Sequence, residues 1–187
     1  KTNFSKNSTP DRVSCLDRLN ALLDGYRDNK CSVYLLHGEM SDGEIDAIYR
    51  HPKIKSIIST THGEGFGLPL FEAAYNGLPV VAPGWSGHMD FLYAPVRDKK
   101  TKKVKSKPLF AKVDYSLKNI QQEAVWGDIL VQDAMWCYPS ERDFKIKIRK
   151  VHSNHGMYKS WADQLSDHLK SELSLPKVLD KMLKTLI

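Results

Sequence analysis

Ile54-Lys-Ser-Ile-Ile-Ser-Thr60, Thr61-His-Gly-Glu-Gly-Phe-Gly67, Leu68-Pro-Leu-Phe-Glu-Ala-Ala-Tyr-Asn76 and Gly77-Leu-Pro-Val-Val-Ala82 follow one another, and this run decides the fold. An apolar, β-branched strand over 54–60 leads into a glycine-rich loop. A helix over 68–76 comes next and is stopped by Gly77, a residue type suited to a left-handed cap. Pro79 to Ala82 reads as another short strand. Strand, helix and strand in this order imply parallel pairing through a right-handed crossover. Ligands of such sheets sit at the carboxyl ends of the strands, which makes the loop 61–67 a binding edge. Gly63, Gly65 and Gly67 let the backbone come close to a ligand. The helix start adds N–H donors and a positive dipole end, which together favour a phosphate.

The same alternation continues on both sides. Thr9-Pro10 opens a helix that runs to about Asp28, with an apolar stripe at Val13, Leu16, Leu19, Leu23 and Tyr26. Ser32 to Leu36 reads as a buried strand that ends at His37-Gly38. Ser41 and Glu44 form a capping box for a short helix carrying Ile45, Ile48 and Tyr49. That helix stops near His51-Pro52. After Pro83-Gly-Trp-Ser-Gly87 a helical turn spans 88–93. Residues 109–113 and 129–131 are further strand segments. Ser140 to Asp143 caps a helix with Phe144, Ile148 and Val151, and two more helices cover 157–173 and 175–187. The fold class is therefore α/β: a Rossmann-like parallel sheet flanked by helices. The whole of 1–187 reads as one domain, with its core over 9–138, a basic excursion at 97–107 and C-terminal helices over 140–187.

Composition limits the function classes. With 187 residues and 41% hydrophobic content the chain can bury a core. No apolar run approaches the ~20 residues of a membrane helix. The polar start, Lys1 to Asp11, lacks the apolar stretch of a secretory leader, so none is expected. Cys15, Cys31 and Cys137 are odd in number and lack metal-ligand spacing, so a reducing, cytoplasmic setting with thiols as core fillers is expected. Arg97, Lys99, Lys100, Lys102, Lys103, Lys105 and Lys107, with Asp98 among them, account for the entire net charge of +6. The rest of the chain is neutral, so no nucleic-acid face is expected. The plain reading of the basic run is a solvated excursion. Its functional alternatives are attraction to nucleic acid or peripheral contact with anionic lipid. No aromatics interleave with the lysines, which speaks against single-strand stacking.

The glycine loop fits neither common phosphate fingerprint. Leu68 stands where a dinucleotide site would have its third glycine, and no Lys-Ser or Lys-Thr follows. Instead two carboxylates, Glu64 and Glu72, are separated by seven residues. Each can accept two hydrogen bonds from neighbouring hydroxyls. Two such groups around a phosphate site suit a ligand with a diol at each end, as in a nucleotide sugar.

On these residues the segment His62 to Val81 resembles the E-x7-E motif of the retaining, two-lobed GT-B glycosyltransferases of family GT4. The resemblance extends over about 32–92. It implies that Glu64, the catalytic candidate, holds donor-sugar hydroxyls. It further implies that Gly65, Phe66, Gly67 and Leu68 meet the diphosphate and sugar, and that Glu72 binds the ribose diol. His37-Gly38 would lie near the base, and Trp85, Ser86, Gly87 and His88 would form a sugar or acceptor loop. The donor phosphate would help deprotonate the acceptor, with no metal, cofactor or protein nucleophile. The family's early Arg and Lys, and its acceptor lobe, have no counterpart in the sequence. The resemblance therefore sets the lobe's first strand and helix before residue 1. The implied partners are a nucleotide sugar, an acceptor of unspecified chemistry, and either an N-terminal lobe or a second copy.

Other readings stand beside this one. A module that binds the nucleotide sugar without turnover has the same motif. A nucleic-acid-binding protein would work through the Lys-rich run, and a sugar-nucleotide epimerase would need acid/base groups that the sequence does not show. Individually, Glu64 and Glu72 can be solvated carboxylates, and His37, His62, His88 and Trp85 can be packing residues. The remaining histidines, His51, His152, His155 and His168, read as surface.

Overall fold

The computed structural model describes residues 8–26, 31–98 and 100–185. It divides into two compact units, Lys1–Ile45 and Asp46–Ile187.

In the first unit, α1 spans Thr9–Asp24. The Ser8 hydroxyl accepts from the Asp11 N–H at 3.3 Å, which satisfies one of the donors a helix start leaves over. The buried positions are Asp11 and Cys15, and Leu19 and Leu23 are half-buried. The inward face thus follows steps of four from Asp11. This corrects the expected stripe, since Val13, Leu16 and Tyr26 are exposed. The expected end of the helix near Asp28 lies outside the described residues. A second correction concerns Ser32 to Leu36, which is not a strand; only His37 makes a bridge. Val33, Tyr34 and Leu36 are exposed. Apolar, β-branched residues favour a strand only where a neighbour completes the hydrogen-bond ladder and covers the face.

The helix α2, Asp42–Arg50, crosses the division between the units. Its capping box forms: the Ser41 N–H donates to the Glu44 carboxylate at 2.8 Å, and the Glu44 N–H to the Ser41 hydroxyl at 3.4 Å.

The second unit is built on β1 (Ile57–Ile58), β2 (Val80–Pro83) and β5 (Ala111–Val113), which form a parallel sheet in the order β1-β2-β5. Val81 pairs with Ile58 on one side and Ala111 on the other. The central strand is buried throughout, as expected for a parallel strand covered on both faces. Val80 and Ala82 face one cluster with Leu70, Phe91, Leu92 and Leu165. Val81 faces a second with Val113, Val151 and Tyr158. Side chains alternate along the strand, so both layers follow from one strand of four residues. Helix α3 (Leu68–Tyr75) packs on α5 (His155–Glu172), and α4 (Glu141–Ser153) packs on β5. Gly77, at φ +70°, closes α3. Its N–H donates to Ala74 and that of Leu78 to Ala73, at 3.0 and 2.9 Å. These two bonds make a Schellman cap.

Two antiparallel hairpins complete the unit. Strands β3 (Tyr93–Arg97) and β4 (Val104–Pro108) pair across the basic excursion, which is thus a ribbon. Its turn is held by the Asp98 carboxylate, which accepts from the Lys100 and Thr101 N–H groups at 2.9 and 2.7 Å. These bonds, led by that from Thr101, hold the Asp98 carboxyl below the usual range. Strands β6 (Tyr115–Asn119) and β7 (Met135–Pro139) form the second hairpin. In place of the expected strand at 129–131 there is a single bridge between Trp126 and Leu130. The last helix, α6, is Leu175–Thr185. No helix among the described residues is long and apolar enough to cross a membrane.

Candidate functional site

The glycine loop lies at the carboxyl end of β1 and runs into α3. Gly67 caps the helix at φ +88°, a conformation that disfavours residues with a Cβ. Its carbonyl accepts from the N–H groups of Leu70 and Phe71. The N–H groups of Gly65, Phe66, Gly67 and Leu68 donate to no other protein group among the described residues. Four consecutive donors at a helix start thus remain for a ligand or water. The Phe66 ring leaves this edge and packs on Phe71 and Phe91, with centroids 5.3 and 5.1 Å away. It anchors the loop and leaves its backbone outward. The Leu68 side chain is exposed.

A second loop, 83–88, holds the first from behind. The Ser86 hydroxyl accepts from the Glu64 N–H at 2.8 Å and donates to the Glu64 carbonyl at 2.7 Å. The Gly87 N–H donates to the same carbonyl at 3.0 Å. A Cβ on Gly87 would stand 2.0 Å from the Gly65 carbonyl oxygen, so the two chains cross where only glycine fits. Ser86 has φ +81°, an uncommon conformation for a residue with a side chain.

His88 is wholly buried. Its Nε2–H donates to the Pro83 carbonyl at 2.7 Å. Its Nδ1 is the buried side-chain polar atom without a partner among the described residues. In the neutral ring that nitrogen is a bare acceptor. A Cβ on Gly67 would meet the His88 Cβ at 3.3 Å and the Glu64 Cβ at 3.5 Å, so all three belong to one packed corner.

Glu64 is half-buried, and its carboxylate has no hydrogen-bond or ion-pair partner among the described residues. Glu72, half-buried on α3, lies near enough to Tyr49 for its charge to act on the phenol. Burial, then the Glu72 charge beside it, push the Tyr49 pKa up to about 12. A carboxylate has about four lone-pair sites, so Glu72 retains capacity for a diol. Tyr49 carries no local sequence signal for this role; it follows only from the approach of α2 to α3.

Trp85 packs against Tyr115 with ring centroids 5.8 Å apart, which ties its loop to the β6–β7 hairpin. His62 makes the other tie. Its Nδ1–H donates to the Cys137 carbonyl at 2.7 Å, and its own carbonyl accepts from the Cys137 N–H at 3.1 Å. The ring stacks on Trp136 at 5.0 Å and 9°. Burial raises the pKa of the Cys137 thiol, which suits a packing role.

His37 and Gly38 belong to the first unit. The His37 Nε2 lies 2.8 Å from the Asp11 carboxylate, and both side chains are nearly inaccessible. The imidazole is engaged with α1, which leaves main chain as the group this turn can offer a ligand. Asp11, Cys15 and His37 present donor atoms within 4.8 Å of one another, a group among the described residues with the spacing to hold a metal ion.

The chain matches no protein-family model and has no significant match among curated proteins.

Proposed function

We propose that this chain is the donor-binding lobe of a retaining glycosyltransferase, a Rossmann-like GT-B lobe that receives a nucleotide-diphosphate sugar. The observation that carries the reading is the row of four unused N–H groups from Gly65 to Leu68. They stand at the start of α3 with Glu64 before them and Glu72 one helical turn inside. Anions bind where free N–H groups and a helix dipole coincide. Glu64 then takes sugar hydroxyls, and Glu72 takes the ribose diol. The N–H groups would stabilise the charge that grows on the leaving diphosphate, because they are already oriented toward it. Loop 83–88 supplies the rigidity this requires, through the Ser86 and Gly87 bonds to Glu64. The donor phosphate takes the acceptor's proton, and no protein nucleophile is needed.

Calorimetric titration with UDP, GDP and ADP, and with their glucose or mannose conjugates, tests the reading. One nucleotide should bind saturably and lose affinity in Glu72→Ala. Equal binding by the variant and the parent chain would overturn the assignment of Glu72 to ribose.

A further inference from the structure

Two clefts open at the other end of the parallel sheet, where the chain enters β1 and β2. One has a volume of about 380 Å³ and is lined by Arg50, His51, Lys55, Asn76, Pro79 and Lys159, among others. The second, of about 390 Å³, is lined by Lys55, Ser56, Ile148, Val151, His152 and His155. Lys55 and His155 belong to both. The His155 Nε2 lies 3.2 Å from the Lys55 carbonyl, so this pair forms the common wall.

The two lobes differ in chemistry. The first gathers three permanent cations, and no carboxylate lines it. Asp46 and Asp163 pair with Arg50 and Lys159 at its margin, and the Asp163 carboxylate stands against Gly77 of the lining. Both are exposed i,i+4 pairs, which contribute little and exchange partners readily. The Lys55 ammonium donates to the Pro52 carbonyl at 2.7 Å. The second lobe is lined by the half-buried Ile148, with the buried Val151 beneath it. Both volumes lie in the range of small-molecule sites.

We propose that the two adjoining clefts bind a small phosphomonoester with an apolar body, which passes over the Lys55–His155 wall. The head lies among Arg50, Lys55 and Lys159, and the body runs along Ile148 and Val151. A phosphomonoester carries close to two negative charges and three acceptor oxygens, which match three cations better than one carboxylate does. Arg50 supplies a planar fork and the lysines supply point charges. This site is separate from the glycine loop and does not depend on the reading of that loop.

Calorimetry on the full chain with hexyl phosphate, inorganic phosphate and hexan-1-ol tests the assignment. Hexyl phosphate should saturate one site at least tenfold more tightly than inorganic phosphate, and hexan-1-ol should not displace it. Lys55→Glu should weaken it at least tenfold, whereas the same charge reversal at the exposed Lys105 of the β3–β4 ribbon should leave it unchanged. Lys55 is exposed, so the charge reversal should not impair folding. Lys159→Gln should act in the same direction. The proton resonances of His152 and His155 should shift along the titration. Equal affinity for hexyl and inorganic phosphate, unchanged affinity in Lys55→Glu, or no saturable binding would each overturn the proposal.

Discussion

The two ends of the three-stranded sheet solve different packing problems. At the carboxyl end, backbone crosses backbone. Gly87 lies on the Gly65 carbonyl, Ser86 bridges both polar groups of Glu64, and His88 is fully enclosed. At the amino end, long cationic side chains stand around two open clefts. One end is fixed by main chain, and the other is bounded by side chains that can move. The difference bears on function because oriented donors need a rigid support, whereas an open cleft adapts to its occupant. It also predicts that substitutions at the two ends will differ in size of effect.

The largest effect should come from Gly87→Ala. A methyl group 2.0 Å from a carbonyl oxygen cannot be accommodated without moving one of the crossing chains. Overpacking of this kind costs about 3 kcal/mol or more. Urea denaturation should show the loss, and nucleotide binding should fall with it, since the moved strand carries the N–H row. A variant as stable as the parent would mean that the crossing is looser than described.

Next in size is Glu72→Ala at the same end. Hydrogen bonds to a charged group contribute about 1.5–3 kcal/mol, so nucleotide affinity should fall about tenfold to a hundredfold. The denaturation midpoint should barely move, because Glu72 is half-buried on a helix that Leu70, Ala73 and Ala74 hold to the core. This separation of binding from stability sharpens the contrast with Gly87. The two variants lie in one corner, and only one of them supports the backbone.

These two residues also show what could be read in the sequence. The helix start, its Schellman cap and the buried strand after it are local signals, and each appears where the residues indicate. Glu64 and Glu72 were visible because their spacing lies in one stretch. The clamp was not, since Ser86 reaches Glu64 across 22 residues and His62 reaches Cys137 across 75. Tyr49 was hidden for the same reason. The β6–β7 hairpin escaped because Asn119 and Met135, its last paired residues, are joined by a long link and not by a two-residue turn. The Ser32 to Leu36 segment misled in the opposite direction. Its composition favours a strand, but local propensity provides no partner.

A smaller effect, and one tied to pH, belongs to Tyr49, which touches both ends: it lines the amino-end cleft and feels the Glu72 charge. Its pKa is raised from 10.0 to about 12, so the folded state holds the phenolic proton more tightly than the unfolded state. The resulting stability is fully present below pH 10 and is lost as pH rises toward about 12. Denaturation midpoints of the parent chain should fall across that window more steeply than those of Tyr49→Phe. Both chains keep a decline from Tyr158, whose pKa burial also raises, so the difference between the two curves is the informative quantity. Parallel curves would mean that the Tyr49 phenol is neither buried nor beside the Glu72 charge in solution.

The smallest effect should come from Lys159→Ala at the open end. Its ammonium pairs with Asp163 and donates to the Gly77 carbonyl at 3.0 Å, at the close of α3. Both ion-pair side chains are about half-exposed, so solvent screens the attraction and side-chain freedom offsets much of it. The cap is already made by the Gly77 and Leu78 N–H groups, and the lysine is an addition to it. A loss of about 0.5 kcal/mol is expected, shrinking further in 1 M salt. If the loss instead matched that of Gly87→Ala, the amino end would be as rigidly built as the carboxyl end. An adaptable cleft would then be the wrong description of it, because side chains that carry the fold are not available to rearrange around a ligand.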